Sequence, residues 1–214
     1  DWSESGHHDY EYEIEQICSA ISSRIRKHFA DWVRQLAIPT KVAVPVQCVD
    51  PSALFLNFNY TAALQRIYGV PEARVLHIHG AASDSTAEIV LGHGWERQAA
   101  DLHSRFTNED TDVRVAGGFR LIDDLLAETF KPTREILARN KAFFTDLSSV
   151  TEVFVLGHSL AEVDKPYFSA VLDYADSDAH WTVSFYGSDV ATRSAAEDIG
   201  IPISRLRLKL LRDI

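Results

Sequence analysis

Short apolar runs alternate along this chain with segments of helical periodicity, and this alternation limits the fold more than any other feature. Six runs have the length and apolar character of strands: residues 54–58, 75–79, 89–91, 153–156, 183–186 and 206–210. Strands that are apolar on both faces and separated by helices are typical of a mostly parallel sheet covered on two sides. The sequence therefore predicts an α/β fold with helices on both faces of one sheet.

The segments between these runs predict the helices and one long loop. Apolar residues recur every three or four positions over residues 11–37, and this helix should stop before Pro39. Weak alternation over residues 42–49 predicts a further short strand. Other helices are expected over residues 61–68, around 167–172, over 191–199, and as a pair meeting near Lys131 within 119–147. The polar segment 95–118 predicts a mobile loop or lid.

Length, charge and cysteine content narrow the class of protein. A chain of 214 residues that is 46% hydrophobic fits a single domain over residues 1–214. Its 31 acidic and 21 basic residues give a net charge of -10, which makes nucleic acid an unlikely partner. Cys18 and Cys48 lack metal-ligand spacing, which favours a reducing compartment, and no set of His, Asp and Glu has such spacing either, so we predict no metal. Without a secretory leader or a run of roughly 20 apolar residues, a cytoplasmic protein without a membrane partner is expected.

Polar residues gather directly after four of the predicted strands. The clusters are residues 57–61, 77–80, 92–94 and 157–164. In open parallel sheets, ligands bind outside the carboxyl ends of the strands, where loops present backbone amides and helix N-termini. We therefore expect the clusters to contribute to one shared site.

Asn59 and His79 are the candidate catalytic residues in these clusters. The Asn59 amide can orient a ribose hydroxyl or a water molecule, although it can equally cap the helix predicted after it. The imidazole of His79 can act near neutral pH beside Gly80, which allows a close approach of substrate. A hydrogen-bonded structural histidine is the alternative, and His77 or His79 can serve as packing support for the other.

Residues 157–161, Gly-His-Ser-Leu-Ala, follow an apolar strand as the nucleophile elbow of esterases does, which makes Ser159 a candidate nucleophile. A hydrolase would need an acid and a histidine downstream, and His180 is the available histidine. It lies at the amino end of its strand, opposite the edge where Ser159 projects. Nucleotide binding, with Gly157 and Ser159 on ribose or phosphate, is the favoured interpretation. Asp164 can simply cap the following helix.

The order of these motifs resembles the bacteriophage abortive-infection AbiH family over nearly the whole chain. The residues that carry the resemblance are Phe55-Leu56-Asn57-Phe58-Asn59-Tyr60-Thr61, His77-Ile78-His79-Gly80, 89–94, Val155-Leu156-Gly157-His158-Ser159-Leu160, Asp164 and Tyr167-Phe168. AbiH proteins in turn look like distant relatives of sirtuin-like proteins, whose Rossmann-type domains bind NAD. The resemblance thus implies a Rossmann-like, sirtuin-like sheet with a helical insertion.

The resemblance also implies roles for individual residues. Asn59 matches the asparagine that faces the nicotinamide ribose, and His79 matches the catalytic histidine of a His-Gly motif. NAD would be the ligand or the substrate, and the implied reaction is cleavage of its N-glycosidic bond. Residues of the same motifs would bind the nucleotide: Asn57, Tyr60, Thr61, Gly80, Gly157, His158, Ser159 and Asp164.

Three departures from the pattern qualify these expectations. The family usually begins with a strand and a Gly-Asn-Gly-Phe-Asp type turn that cradles pyrophosphate, whereas this sequence begins at Asp1 and contains no Met. We therefore expect the domain to lack that first strand and glycine-rich loop. Thr61 stands where sirtuins have an aspartate. The zinc-binding cysteines of deacetylase sirtuins are absent, which argues against protein deacetylation.

Two classes of function follow from the sequence. The first is an antiphage effector that binds NAD or a related nucleotide and, as an NAD glycohydrolase, hydrolyses it. The second is a non-catalytic sensor of a nucleotide or a phage component, and a serine esterase using Ser159 ranks behind both. Homo-oligomers and a phage-derived trigger are the expected macromolecular partners.

Overall fold

The computed structural model describes residues 9–214, which form two compact units. The helical unit consists of residues 9–37, 59–61 and 79–131, and the α/β unit consists of residues 38–58, 62–78 and 132–214. Neither unit is a continuous stretch of sequence. The single domain over residues 1–214 stays a prediction.

Helices account for most of the regular structure. They are α1 (Asp9–Ser19), a π-helical turn (Ala20–Arg24), α2 (Ile25–Gln35), α3 (Ala63–Tyr68), α4 (Val113–Glu128), α5 (Thr133–Arg139), α6 (Lys141–Thr145), α7 (Lys165–Tyr174) and α8 (Val190–Ile199). The predicted helices over residues 11–37, 61–68, 167–172 and 191–199 are confirmed, as is the break near Lys131. None of the helices within residues 9–214 combines the length and the apolar character needed to cross a membrane.

Glycine ends two of these helices. Gly69 follows α3 with φ of 69° and Gly200 follows α8 with φ of 98°. Both backbones lie in the left-handed region, which a residue without a Cβ adopts at low cost. The Gly69 N–H donates to the carbonyl of Gln65 at 3.1 Å, so the last turn of α3 is closed by a backbone hydrogen bond.

The α/β unit contains five strands, and every strand pairing is parallel. The strands are β1 (Phe55–Asn57), β2 (Val75–His77), β3 (Glu152–Val155), β4 (His180–Phe185) and β5 (Leu206–Leu210). They form two small sheets, β1-β2 and β3-β4-β5, instead of the single sheet we expected. No ladder of hydrogen bonds joins β1 to β3 within the described chain. The α/β class with parallel strands is thus confirmed, and the one continuous sheet is not.

Residues 42–49 form an irregular segment of bends and one turn, so the strand predicted there is wrong. Pro45 lies in the middle of the segment and has no N–H to donate to a ladder. The next amide, Val46 N–H, donates to the hydroxyl of Tyr68 at 3.2 Å. The segment is therefore fixed to the end of α3 by a side chain and not by a neighbouring strand.

The strand predicted over residues 89–91 is also wrong. Val90 N–H donates to the carbonyl of His79 at 3.0 Å, and the Val90 carbonyl accepts from the Tyr60 hydroxyl at 2.9 Å. One backbone bond and one side-chain bond hold Val90 in place. Apolar sequence supplies strand character, but a strand also needs a partner with a matching row of backbone groups.

The loop predicted over residues 95–118 is wrong at its end, where α4 already begins at Val113. The Asp112 carboxylate caps the helix by accepting from the Arg114 N–H at 2.9 Å. Helix α4 then runs through Gly117 and Gly118, both buried. A Cβ on Gly118 would lie 2.9 Å from a ring carbon of Tyr10 in α1. Glycine therefore serves close packing between α1 and α4, and it does not mark a loop.

Each unit has its own core. In the α/β unit, Trp181 and Val183 of β4 are fully buried, because β4 is flanked by strands on both edges and covered on both faces. In the helical unit, Ala30 and Val33 of α2 pack with Ala82 and Ile89. The segment after His79 is thereby fixed to α2.

A buried ion pair fastens the segment before α4 to that helix. Arg97 donates to the Asp123 carboxylate, and the backbone amides of His103 and Ser104 donate to the same group at 2.9 and 3.0 Å. Burial by itself raises the pKa of Asp123, but the hydrogen bonds from Arg97 and from the two amides outweigh it and hold the pKa well below its usual range. Asp123 therefore stays ionised in the folded protein.

We expect Asp123→Asn to lower the free energy of unfolding at pH 7 by about 3–5 kcal/mol, because Arg97 would remain buried without its carboxylate. The folded pKa lies below the unfolded value of about 3.9, so the stabilisation is present above that pH and is lost as the pH falls below it. Urea unfolding between pH 7 and pH 3 should show a steeper loss for the wild type than for the variant. Asp124→Asn, at the exposed neighbouring position, is the control, and equal stability of all three proteins would contradict the prediction.

Candidate functional site

The loop after β3 is held to the neighbouring strand by one hydrogen bond. Gly157 N–H donates to the hydroxyl of Ser184, a buried residue of β4, at 2.8 Å. Gly157 has φ of 66°, and a Cβ built there would meet no atom within 4 Å. At the other end of the loop, Leu160 has φ of 55° although it carries a side chain. The loop therefore contains a strained turn at the carboxyl end of a parallel strand, where strained backbone commonly serves function.

His158 stabilises this turn through both ring nitrogens. Its Nδ1 accepts from the Leu160 N–H at 2.9 Å, and its Nε2 lies 3.3 Å from a carboxylate oxygen of Asp164. Because Nδ1 accepts, a neutral imidazole carries its proton on Nε2 and donates it to Asp164. His158 is thus a positioning residue for the loop, while the neighbouring Ser159 is exposed.

Asp164 does not cap α7 with its side chain, contrary to the simpler of our expectations. It occupies the N-cap position, but no side-chain capping bond forms there. Its carboxylate instead faces His158. A contact between the loop and the start of α7 therefore replaces the helix cap.

Phe58 brings the end of β1 to the loop after β3. Its ring centroid lies 4.5 Å from that of His158 and 5.1 Å from that of Phe168, with which it is stacked. Aromatic pairs at these separations contribute about 0.5–1.5 kcal/mol beyond their buried area. The expected meeting of strand ends is therefore observed for the clusters that follow β1 and β3 in the α/β unit.

Asn57, at the end of β1, is buried and supported by His77. Asn57 Nδ2 lies 3.4 Å from His77 Nδ1, and the terminal amide of Gln65 lies 3.3 Å from His77 Nε2. Asn57 and His77 are also partners in the β1-β2 register. His77 thus links two amide side chains, a contact that the spacing of His77 and His79 does not predict.

In the helical unit, residues 59–61 and 79–80 meet through backbone and ring contacts. The Tyr60 carbonyl accepts from the Ala82 N–H at 2.8 Å, and the rings of Tyr60 and His79 lie 6.3 Å apart. Asn59 is exposed, whereas His79 is only 4% exposed. Asn59 does not cap α3, because Ala62 occupies the N-cap position and no side chain caps the helix. The capping alternative for Asn59 is therefore wrong.

Gly80 is required by the fold of its own segment. Its φ is 86°, and a Cβ at this position would lie 2.3 Å from the backbone oxygen of Glu88. The space beside Gly80 that we expected a substrate to enter is thus occupied on this side by the chain itself. The glycine of the His-Gly pair therefore has a structural explanation.

Residues 92–94, the remaining cluster, pack against the end of α4. His93 N–H donates to the carbonyl of Thr129 at 3.0 Å, and His93 Nε2 lies 3.0 Å from the carbonyl of Leu126. A Cβ on Gly92 would lie 1.8 Å from the Thr129 oxygen. The glycine thus permits the close approach of two backbone segments.

The candidate site residues are divided between the two units. Asn57, Gly157, His158, Ser159 and Asp164 belong to the α/β unit, and Asn59, Tyr60, Thr61, His79 and Gly80 belong to the helical unit. Sequence reasoning overlooked Ser184 and the role of Phe58. A hydroxyl inside a buried strand was the available signal for Ser184, because a polar side chain in a buried strand needs a partner.

The α/β unit thus has a strained, hydroxyl-bearing loop at the carboxyl end of a parallel strand, the place where ligands bind in many open α/β sheets. The family model "Bacteriophage abortive infection AbiH" matches residues 1–185. The chain therefore belongs to the AbiH family of bacteriophage abortive-infection proteins. No curated protein and no solved structure matches it significantly.

We expect Gly92→Ala to destabilise the fold by roughly 3 kcal/mol, because the backbone at Thr129 must move to admit a methyl group. Gly187→Ala is the matched control: its φ is 73° with no atom within 4 Å of an added Cβ, so it should cost only about 1–2 kcal/mol. Thermal unfolding of the two variants measures the difference. Equal costs would contradict the close approach at Gly92.

We expect His158→Phe to loosen the loop while preserving the aromatic packing against Phe58 and Phe168. Losing the two hydrogen bonds of His158 should cost about 2 kcal/mol. Hydrogen exchange of the Leu160 amide should become faster. His158→Asn is the control, since an asparagine oxygen can still accept from the amide two residues along the chain. Unchanged exchange at Leu160 in His158→Phe would show that the imidazole does not hold the turn.

Proposed function

We propose that this AbiH protein acts in abortive infection by binding NAD or a related nucleotide at the loop of residues 157–160. In the same proposal, Asn59 and His79 serve hydrolysis of the N-glycosidic bond. The observation that carries the binding step is the turn held by His158, with Ser159 exposed at its tip.

The chemistry of the loop suits a ribose. A hydroxyl such as that of Ser159 both donates and accepts, which matches the paired hydroxyls of the sugar. The open space around Gly157 allows a ligand to approach the backbone. Because His158 and Ser184 fix the loop from both ends, little ordering entropy would be lost on binding.

Hydrolysis of NAD replaces the bond between nicotinamide and ribose C1′ with a bond from C1′ to a water oxygen. The electron pair of the broken bond leaves with nicotinamide, and the water gives up a proton. The resemblance to sirtuin-like proteins suggests that Asn59 orients the ribose or the water and that His79 accepts the proton or stabilises the oxocarbenium-like transition state. The exposure of the Asn59 amide is compatible with this role.

The burial of His79 favours a second candidate function, a non-catalytic sensor. A general base must come within hydrogen-bonding reach of the proton that it removes. At 4% exposure, His79 would have to become accessible before it reacts. A protein that binds a nucleotide or a phage component and signals through partners needs no such change.

The strand register disfavours a serine esterase. His180 pairs with Glu152 at the start of β3, whereas Ser159 follows the end of β3. A strand rises about 3.3 Å per residue, so the full length of β3 separates the levels of the two side chains. His180 cannot serve as the base for Ser159 in this arrangement.

We expect the full-length protein to consume NAD, and we expect His79→Ala and Asn59→Ala to reduce turnover by a factor of at least roughly 100, since general acid–base catalysis contributes about 10²–10⁴-fold. Product analysis under conditions that mimic phage infection, with chromatographic detection of nicotinamide and ADP-ribose, measures the effect. His180→Ala is the matched control, because His180 lies at the amino end of β4.

The outcomes separate the two candidate functions. Turnover that requires both His79 and Asn59 supports the hydrolase. Binding of NAD by calorimetry without turnover, weakened by His158→Phe, contradicts hydrolysis and supports the sensor. If the wild type binds neither NAD nor ADP-ribose, the proposed nucleotide site is wrong.

A further inference from the structure

Large apolar side chains form an exposed stripe along the helix that runs from α1 through the π-helical turn to α2. The dimer stripe, as we name it, consists of Tyr10, Ile17, Ile21, Ile25 and Trp32, which are between 45% and 56% exposed. An adjoining side of this helix is already used, since Ala30 and Val33 pack in the core, and the ring of Tyr10 also lies beside Gly118 of α4. Large apolar side chains exposed together along one helix are typical of an interaction site.

The π-helical turn keeps the dimer stripe straight. A step of four residues, as from Ile17 to Ile21 and from Ile21 to Ile25, exceeds one α-helical turn of about 3.6 residues. The same step falls short of the wider turn of a π-helix. A four-residue step therefore rotates a side chain slightly past one full turn in the α-helical part and slightly short of one full turn in the π-helical part. Because the π-helical turn at Ala20–Arg24 lies in the middle of the stripe, these two rotations offset each other. The three isoleucines therefore stay on one face.

The spacing of the dimer stripe is symmetric about Ile21. Its members follow one another at intervals of seven, four, four and seven residues. If a second copy of the helix runs antiparallel with Ile21 on the two-fold axis, Ile17 faces Ile25 and Tyr10 faces Trp32. Each apolar side chain then meets another, which is the self-complementarity that a two-fold interface requires.

The charged residues of the helix are also distributed about Ile21, with negative charge on one side of it and positive charge on the other. Most acidic residues of the helix precede Ile21 and most basic residues follow it: Glu13 and Glu15, then Arg24 and Lys27. Asp31 is the exception after Ile21, and it is paired with Arg34. Antiparallel pairing places the acidic half of one helix beside the basic half of the other, whereas parallel pairing places like charges together. Opposite charges that flank an apolar seam select orientation and partner.

We propose that the dimer stripe is the interface of a homodimer, in which two copies of this helix pair antiparallel about Ile21. The second copy is the occupant that the symmetric spacing and the complementary charge favour. This proposal of a dimer does not depend on whether the protein acts on a nucleotide.

Sedimentation equilibrium of the full-length protein tests the association. We expect the wild type to dimerise and Ile21→Glu to weaken dimerisation roughly 100-fold or more, because the axis would bury two facing carboxylates. Ile203→Glu is the matched control, since Ile203 is 61% exposed and lies outside the stripe. Equal melting temperatures of Ile21→Glu and wild type at low concentration would show that folding is intact. A wild type that stays monomeric at all concentrations would overturn the proposal.

Cysteine cross-linking tests the antiparallel register. In a Cys18→Ser, Cys48→Ser background, Ile21→Cys should form a disulfide-linked dimer under mild oxidation. Ile17→Cys alone should not, because its two copies would lie about 12 Å apart along the axis, given a rise of about 1.5 Å per residue. Ile17→Cys combined with Ile25→Cys should cross-link again. Efficient cross-linking of Ile17→Cys alone would rule out this register.

Discussion

The hydrogen bond between the His158 imidazole and the Leu160 amide is the interaction on which the candidate loop depends. Leu160 has a side chain yet lies at φ of 55°, a conformation that costs about 1–2 kcal/mol for an L-residue. The imidazole offsets this cost by accepting the amide that the turn would otherwise leave without a partner, and Asp164 and Phe58 fix the ring in place. One side chain thus joins the ends of β1 and β3 to the start of α7.

Much of the fold could be predicted because its signals are local. Parallel strands, the helices α3 and α8, and the position of His180 before an apolar run all follow from a few neighbouring residues. The predictions that were wrong concern segments whose structure depends on packing between residues distant in the sequence. Residues 89–91 have strand character but bind His79 and Tyr60 in place of a ladder. The end of the predicted loop is helical instead, and its Gly117 and Gly118 pack against α1.

The candidate site, like the fold, could be predicted from the sequence only in part. Sequence spacing located the clusters, since strand ends are marked by the change from apolar to polar residues. It did not reveal that His158 uses both ring nitrogens within the loop, because that depends on the backbone of Leu160 and on the reach of Asp164. It also assigned Gly80 to substrate approach, whereas the Glu88 carbonyl lies where a side chain would be.

Contacts within the helical unit connect the dimer stripe to His79. The ring of Trp32 lies 5.9 Å from that of Phe29, which lies 4.9 Å from that of Tyr60. Tyr60 in turn packs 6.3 Å from His79 and holds the Val90 carbonyl. Packed side chains transmit rearrangements because close-packed interiors do not deform continuously. The rings of Phe29 and Tyr60 therefore form a continuous line of aromatic contacts between the exposed Trp32 and the buried His79.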